Sequence, residues 1–261
     1  MNLDDAGNAL LALGLTLPRI IGAFVMLPLL TSETVPALVR NSFLVSLAIV
    51  ALPIAMTGAS LQSMQVTEWL PLILKELFIG VAIGFCFGTV FWALGAAGNL
   101  IDTQVGMTLA SVFDPIQGHQ ASLHGQFLSQ LGAWLFMASG AFLVFLDLLL
   151  SSYAMWPVAS FVPKLPMVGL EFFTGQFTYL MTALLVLASP VVVVLVLVDL
   201  SFGVINRFAP QLNVFSLTMP IKAWLASGIL LLTLGVFFEF VLDRLSVNRA
   251  LLEALNRVFS G

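Results

Sequence analysis

The chain reads as an all-α, multi-helix integral membrane protein, and three observations predict that class. Hydrophobic residues make up 60% of its 261 residues and charged residues 8%, against roughly 25% charged in a soluble domain. Its mean hydropathy is +1.09, which leaves too few polar residues to build a water-facing shell. Uncharged apolar runs of 25 and 27 residues occur within it, where about 20 residues suffice for a helix to cross the hydrocarbon layer.

The first apolar run covers residues 9–30 and is interrupted by Pro18 and Arg19. A central Arg costs about 2.5–3.5 kcal/mol on insertion while each Leu or Ile returns about 0.3–0.6, so this segment needs partners. Arg19 either snorkels to an interface or is buried against an acid on another helix. The second run, residues 41–67, is uncharged, with Pro53 inside it and the turn-like pair Thr57-Gly58 near its end. Lys75 and Glu76 precede the third run, residues 77–101. There Gly80, Gly84 and Gly88 recur every four residues on one helical face, a spacing that lets two helix backbones approach closely.

Residues 102–126 then form a polar connector between two apolar runs. It has no Lys or Arg, two acids (Asp102, Asp114), four Gln and a turn signal at Asp114-Pro115 with Gly118 beyond it. Structureless loops longer than about 12–15 residues are usually functional or disordered, so function is expected here. The fourth run covers residues 127–146, closed by Asp147 and apolar again to Trp156; three prolines within residues 157–166 end any helix. The fifth run, residues 172–198, contains Pro190 and is followed by Asp199. A second polar connector is expected over residues 201–222 and a sixth run over 223–238. Past Glu239, Leu242, Leu245, Leu252, Leu255 and Phe259 alternate with charged residues at near-helical period, an amphipathic helix for a membrane surface or a partner.

If all six runs span and the N-terminus is cytoplasmic, the cytoplasmic side holds Lys75, Lys164, Arg244, Arg249 and Arg257, and the other side Arg40, Arg207 and Lys222. That bias is weak for a plain six-span protein. Either some runs do not span, or neighbouring proteins fix the orientation.

Several function classes are disfavoured. The net charge of -4 is thinly spread and no basic cluster exists, so nucleic acid is not an expected partner. The single cysteine, Cys86, excludes an internal disulfide. The first residues are acidic where a signal peptide would be basic, so no cleaved leader is expected. His119 and His124 lack metal-ligand spacing, and Ser111, Asp114 and His119 are triad letters without a G-x-S-x-G context. No P-loop, dinucleotide fingerprint or H-E-x-x-H is present. The expectation is no catalytic residue, no metal and no cofactor.

Three stretches carry a family resemblance: GNLIDTQVGMTLASVFDP (residues 98–115), SSYAMWPV (151–158) and NRFAPQLNVFSLTMPIK (206–222). Together, in order and over essentially the whole length, they resemble the FliR/SctT family of type III secretion export-gate proteins, nearer to the injectisome SctT branch than to flagellar FliR. Ala188-Ser189-Pro190, Gln211, Asn213 and Pro220-Ile221-Lys222 also resemble the two-helix FliQ/SctS subunit. FliQ-type proteins place Lys directly after that proline, whereas Ile221 intervenes here.

The resemblance implies a FliP-like part over residues 1–170 and a FliQ-like hairpin with an amphipathic C-terminal helix over 171–261. It implies a helical export gate of FliP/SctR-like and FliQ/SctS-like subunits with an FlhB/SctU-like switch protein, set in the bacterial inner membrane, contacting lipid and extending towards the periplasm. Unfolded polypeptides would pass through it. Residues 106–122 would plug the closed pore, with Gly106, Met107, Leu109, Val112, Phe113 and Gly118 in the plug and Asp114 and Pro115 shaping its turn. Such a seal blocks ions by apolar constriction and still moves aside. Asn206, Arg207, Pro210, Gln211, Asn213, Pro220 and Lys222 would form the hairpin-loop region. The rivals are a flagellar FliR subunit, a small-solute secondary transporter using Pro18, Pro53 and Pro190 to break helices at a binding site, and a purely structural scaffold.

Overall fold

The computed structural model describes residues 3–31, 35–55, 66–107, 122–158, 167–211 and 214–247. Among these, seven helices occur: α1 (Leu3–Val25), α2 (Ala37–Ala55), α3 (Val66–Val105), α4 (Leu123–Ala138), α5 (Ala141–Met155), α6 (Met167–Phe208) and α7 (Val214–Val247). No strand occurs among the described residues. Among the described residues, four segments are long and apolar enough to cross a membrane, Ala37–Ala55, Trp69–Val105, Glu171–Phe208 and Leu217–Arg244, or five if the bent pair Leu123–Ala138 and Ala141–Met155 is one span.

Three expectations about the elements need correction. Lys75 and Glu76 do not flank the third run; they lie inside α3, which starts nine residues earlier than Lys75. A charge ends a membrane helix only if it must reach water, and these two are buried and paired within the protein. The fourth run is not one straight span. It divides at Gly140, whose φ of 75° only glycine adopts without strain, and α4 and α5 meet at a 73° bend. The second connector is shorter than expected: α6 continues to Phe208 and α7 starts at Val214. Pro18, Pro53, Pro190 and Pro220 all lie inside helices rather than ending them, as membrane helices tolerate.

The described residues divide into two compact units, one within Met1–Thr89, Phe136–Gln176 and Leu245–Gly261, the other within Val90–Leu135 and Phe177–Arg244. In the first unit an aromatic cluster forms the core. Phe24 of α1 meets Phe43 of α2 and Phe145 of α5 edge-on, with ring centroids 5.6 and 5.3 Å apart, and Phe145 meets Phe87 of α3 at 5.3 Å. Such edge-to-face pairs add about 0.5–1.5 kcal/mol beyond area burial. The α1 and α3 backbones touch through glycines. A Cβ at Gly80 would overlap the Arg19 carbonyl oxygen, one at Gly84 the Ala23 carbonyl oxygen, and one at Gly22 would lie 2.7 Å from the Leu77 carbonyl oxygen. Gly88, one turn beyond, is buried.

In the second unit, α3 and α4 approach as closely. A Cβ at Gly98 would overlap the backbone of Gly125, and one at Gly95 would stand 2.7 Å from Ser129 Oγ. Ala93 of α3 packs with Leu180 and Ala183 of α6, flanked by Trp92, Tyr179 and Phe240. The Tyr179 and Phe240 rings stack 5.6 Å apart, and the Arg244 guanidinium lies 3.8 Å from the Tyr179 ring centroid.

Candidate functional site

Helix α3 ends at a point fixed by chemistry. Gly106, with φ 100°, donates its N–H to the carbonyls of Asp102 (3.2 Å) and Thr103 (3.1 Å), closing the last turn in the left-handed conformation that favours glycine. A Cβ there would come within 3.3 Å of Met219 Cε on α7. Met107 is the last described residue on this side of the loop. Leu109, Val112, Phe113, Asp114, Pro115 and Gly118 of the expected plug lie outside the described residues.

The chain re-enters at Ser122, the N-cap of α4. Its Oγ accepts from the Gly125 N–H at 2.9 Å and donates to Asp102 Oδ2 at 2.5 Å. The same Oδ2 accepts the His124 backbone N–H at 3.0 Å. Asp102 therefore joins the last turn of α3 to the first turn of α4, with its negative charge at a helix N-terminus, where the dipole favours it. His124 completes the cluster: Nδ1 pairs with Asp102 Oδ1, and Nε2 lies 3.1 Å from Ser227 Oγ on α7. An Asp–His–Ser line is also the order of a nucleophilic triad. Ser227 sits inside α7, however, where backbone N–H groups serve the helix, so the helix around it offers no backbone donors for an oxyanion.

A second polar pair lies in the same unit. Lys222 Nζ reaches both Asp199 oxygens, at 2.8 and 2.9 Å, and Gln104 Nε2 donates to Asp199 Oδ2 at 3.4 Å. Lys222 is nearly buried while the Asp199 carboxylate is 41% exposed. Of the other expected hairpin residues, Asn206 and Arg207 are exposed in the last turn of α6, Pro210 and Gln211 are exposed after it, and Pro220 is exposed within α7. Asn213 lies outside the described residues.

The first unit holds a buried charge cluster. Arg19 Nε and Nη2 reach Glu76 Oε2 and Oε1 at 2.6 and 2.9 Å; Nη1 donates to Ser152 Oγ and Nη2 to the Trp156 carbonyl. The guanidinium also lies 4.1 Å from the Tyr153 ring centroid. Lys75 Nζ binds Glu76 Oε1 at 2.8 Å and the carbonyls of Pro157 and Val158 at 3.1 and 2.8 Å. Of the two roles open to Arg19, the buried pair is the one observed. Every cation has several partners, as burial in an apolar core demands.

Sequence reasoning missed Ser227 because nothing distinguishes it from other small polar residues in an apolar helix. It missed the joining of Asp102 to His124 because both were read as loop residues. The signal available was that these two are the ionisable residues nearest the ends of the adjoining runs.

Compared with known proteins, the family model of bacterial export proteins, family 1, matches residues 10–247. The chain is 39% identical over 230 residues to Yop proteins translocation protein T of Yersinia pestis, covering 88% of each chain. It is 34% identical over 241 residues to the secretion system apparatus protein SsaT of Salmonella typhimurium, covering 92% of this chain and 91% of that one. To the flagellar biosynthetic protein FliR of Bacillus subtilis it is 30% identical over 232 residues, covering 88% of each.

Proposed function

The chain belongs to the bacterial export proteins of family 1, the FliR/SctT family of type III secretion export-apparatus subunits, and from that premise we propose that it is a core gate subunit that helps form and seal a channel for unfolded polypeptides. The injectisome branch is favoured over the flagellar one because identity is 39% to a translocation protein and 30% to a flagellar protein. The gate sits in the bacterial inner membrane and extends towards the periplasm. Its neighbours are FliP/SctR-like and FliQ/SctS-like subunits and an FlhB/SctU-like protein. Residues 1–170 act as the FliP-like part and residues 171–261 as the FliQ-like hairpin, a reading supported by the two long helices α6 and α7 that follow one another there. The subunit works without catalysis, energised by other components.

The observation that carries the sealing role is how the ends of residues 106–122 are held. At one end Gly106 turns the backbone under Met219; at the other, Ser122 and His124 are tied to Asp102. Among the described residues, the two acids at this end of the unit each have a partner, Asp102 the His124 ring and Asp199 the Lys222 ammonium. Deleting residues 106–122 is expected to raise ion leakage through the assembled gate without preventing assembly. Unchanged conductance in that deletion removes the sealing role. A small-solute transporter would instead work as an isolated chain in liposomes.

A further inference from the structure

We propose that Asp102, His124 and Ser227 form a releasable clasp that holds the start of α4 against α3 and α7 in the resting gate, with His124 as its positioning residue. This inference rests on the sealing role proposed above for residues 106–122.

The two halves of the clasp are unequal. On the α3 side, the Asp102 carboxylate takes the His124 ring, the His124 backbone N–H and the Ser122 hydroxyl. Charge-assisted bonds of this kind are roughly twice as strong as neutral ones. The glycine contacts Gly98 to Gly125 and Gly95 to Ser129 fix the α3 and α4 backbones against each other. On the α7 side, a single bond joins His124 Nε2 to Ser227 Oγ. Which of the two, ring Nε2 or Ser227 Oγ, donates depends on the tautomer of the ring, and one hydrogen bond joins them either way.

Breaking that single bond strands nothing. The ring is partly exposed, 13% by side chain, so water can replace the serine at Nε2. A serine inside a helix can turn its hydroxyl to the carbonyl one turn back, as Ser201 does to Leu197 and Thr218 to Val214 in this chain. Beside Ser227, a Cβ added at Gly228 would meet nothing within 4 Å, so that face of α7 is open. Among the described residues of the same unit, Asp199 on α6 and Lys222 on α7 are closed on each other and on Gln104. Parting His124 from Ser227 therefore leaves the Asp102 half intact. A contact whose two states differ by this little suits a two-state element that export can bias.

The test uses the complete gate, purified with its partner subunits and reconstituted into membranes. Ser227→Ala is expected to raise resting ion leak on the order of fivefold, the population change that one lost neutral hydrogen bond allows, with Ser227→Thr restoring the tight state. Ser227→His places a second imidazole facing His124 Nε2, a pair zinc can bridge. Zinc is expected to stop export of an unfolded substrate by that variant, and a chelator to restore it, with the unsubstituted gate indifferent to both. Three results overturn the clasp: a Ser227→Ala gate as tight as the original, a Ser227→Ala chain that does not assemble, or a zinc-loaded Ser227→His gate that exports normally. If the 106–122 deletion leaks while Ser227→Ala stays tight, the clasp fails and the seal stands. If the deletion is also tight, the sealing role itself falls.

Discussion

Arg19 on α1 and Glu76 on α3 meet in a two-pronged ion pair with both side chains fully buried. Replacing Glu76 with Gln removes the carboxylate that the buried Arg19 guanidinium holds with two nitrogens. Removing one partner of such a pair costs about 3–5 kcal/mol. The thermal midpoint of the purified gate is expected to fall sharply for Glu76→Gln. Arg19→Leu combined with Glu76→Leu should lose less than the two single changes added together, and strict additivity would contradict the coupling.

The glycines of α3 separate close approach from mere composition. At Gly80 a methyl group meets the α1 backbone, which cannot rotate away, so Gly80→Ala is expected to destabilise by about 1–3 kcal/mol. At Gly175 on α6 a methyl group meets nothing within 4 Å, and Gly175→Ala should be neutral or stabilising by up to about 1 kcal/mol through helix propensity alone. Melting of the two variants side by side decides it; equal effects would show that the α1–α3 contact is looser than described.

Asp199 and Lys222 should respond unequally to removal. Asp199→Asn strands a nearly buried ammonium, whereas Lys222→Met strands a carboxylate that is 41% exposed and can hydrate. The first is expected to cost about 2–4 kcal/mol and the second about 1, read as loss of intact particle on heating. The reverse order would mean that the carboxylate, not the ammonium, is the buried partner in the assembly.

Gly106 closes α3 at φ 100°. Forcing a Cβ into that region costs about 1–2 kcal/mol, and the Met219 methyl crowds it further. Gly106→Val is expected to raise resting leak while Met219→Ala partly relieves the crowding. A Gly106→Val gate with unchanged leak and stability would exclude a fixed turn at this position.

Helices and their approximate number were legible in the sequence because membrane insertion imposes long apolar runs. Their ends were less so. Lys75 and Glu76 read as a boundary, since a charge in an apolar run ordinarily marks an interface, and only the fold brings Arg19, Pro157 and Val158 to them. The division at Gly140 was hidden because glycine is common inside membrane helices and only its φ reveals the turn. In the site, Asp102, His124, Gly106 and Lys222 stood out as polar or special residues beside apolar runs. Ser227 did not, because its part depends wholly on which ring faces it across 103 positions of chain.

The cluster of Arg19, Lys75 and Glu76 draws on distant parts of the chain, since the Trp156 carbonyl takes the Arg19 guanidinium and the Pro157 and Val158 carbonyls take Lys75. Arg19 and Trp156 are 137 positions apart, so the first helix gains its full set of polar partners only after synthesis has passed α5.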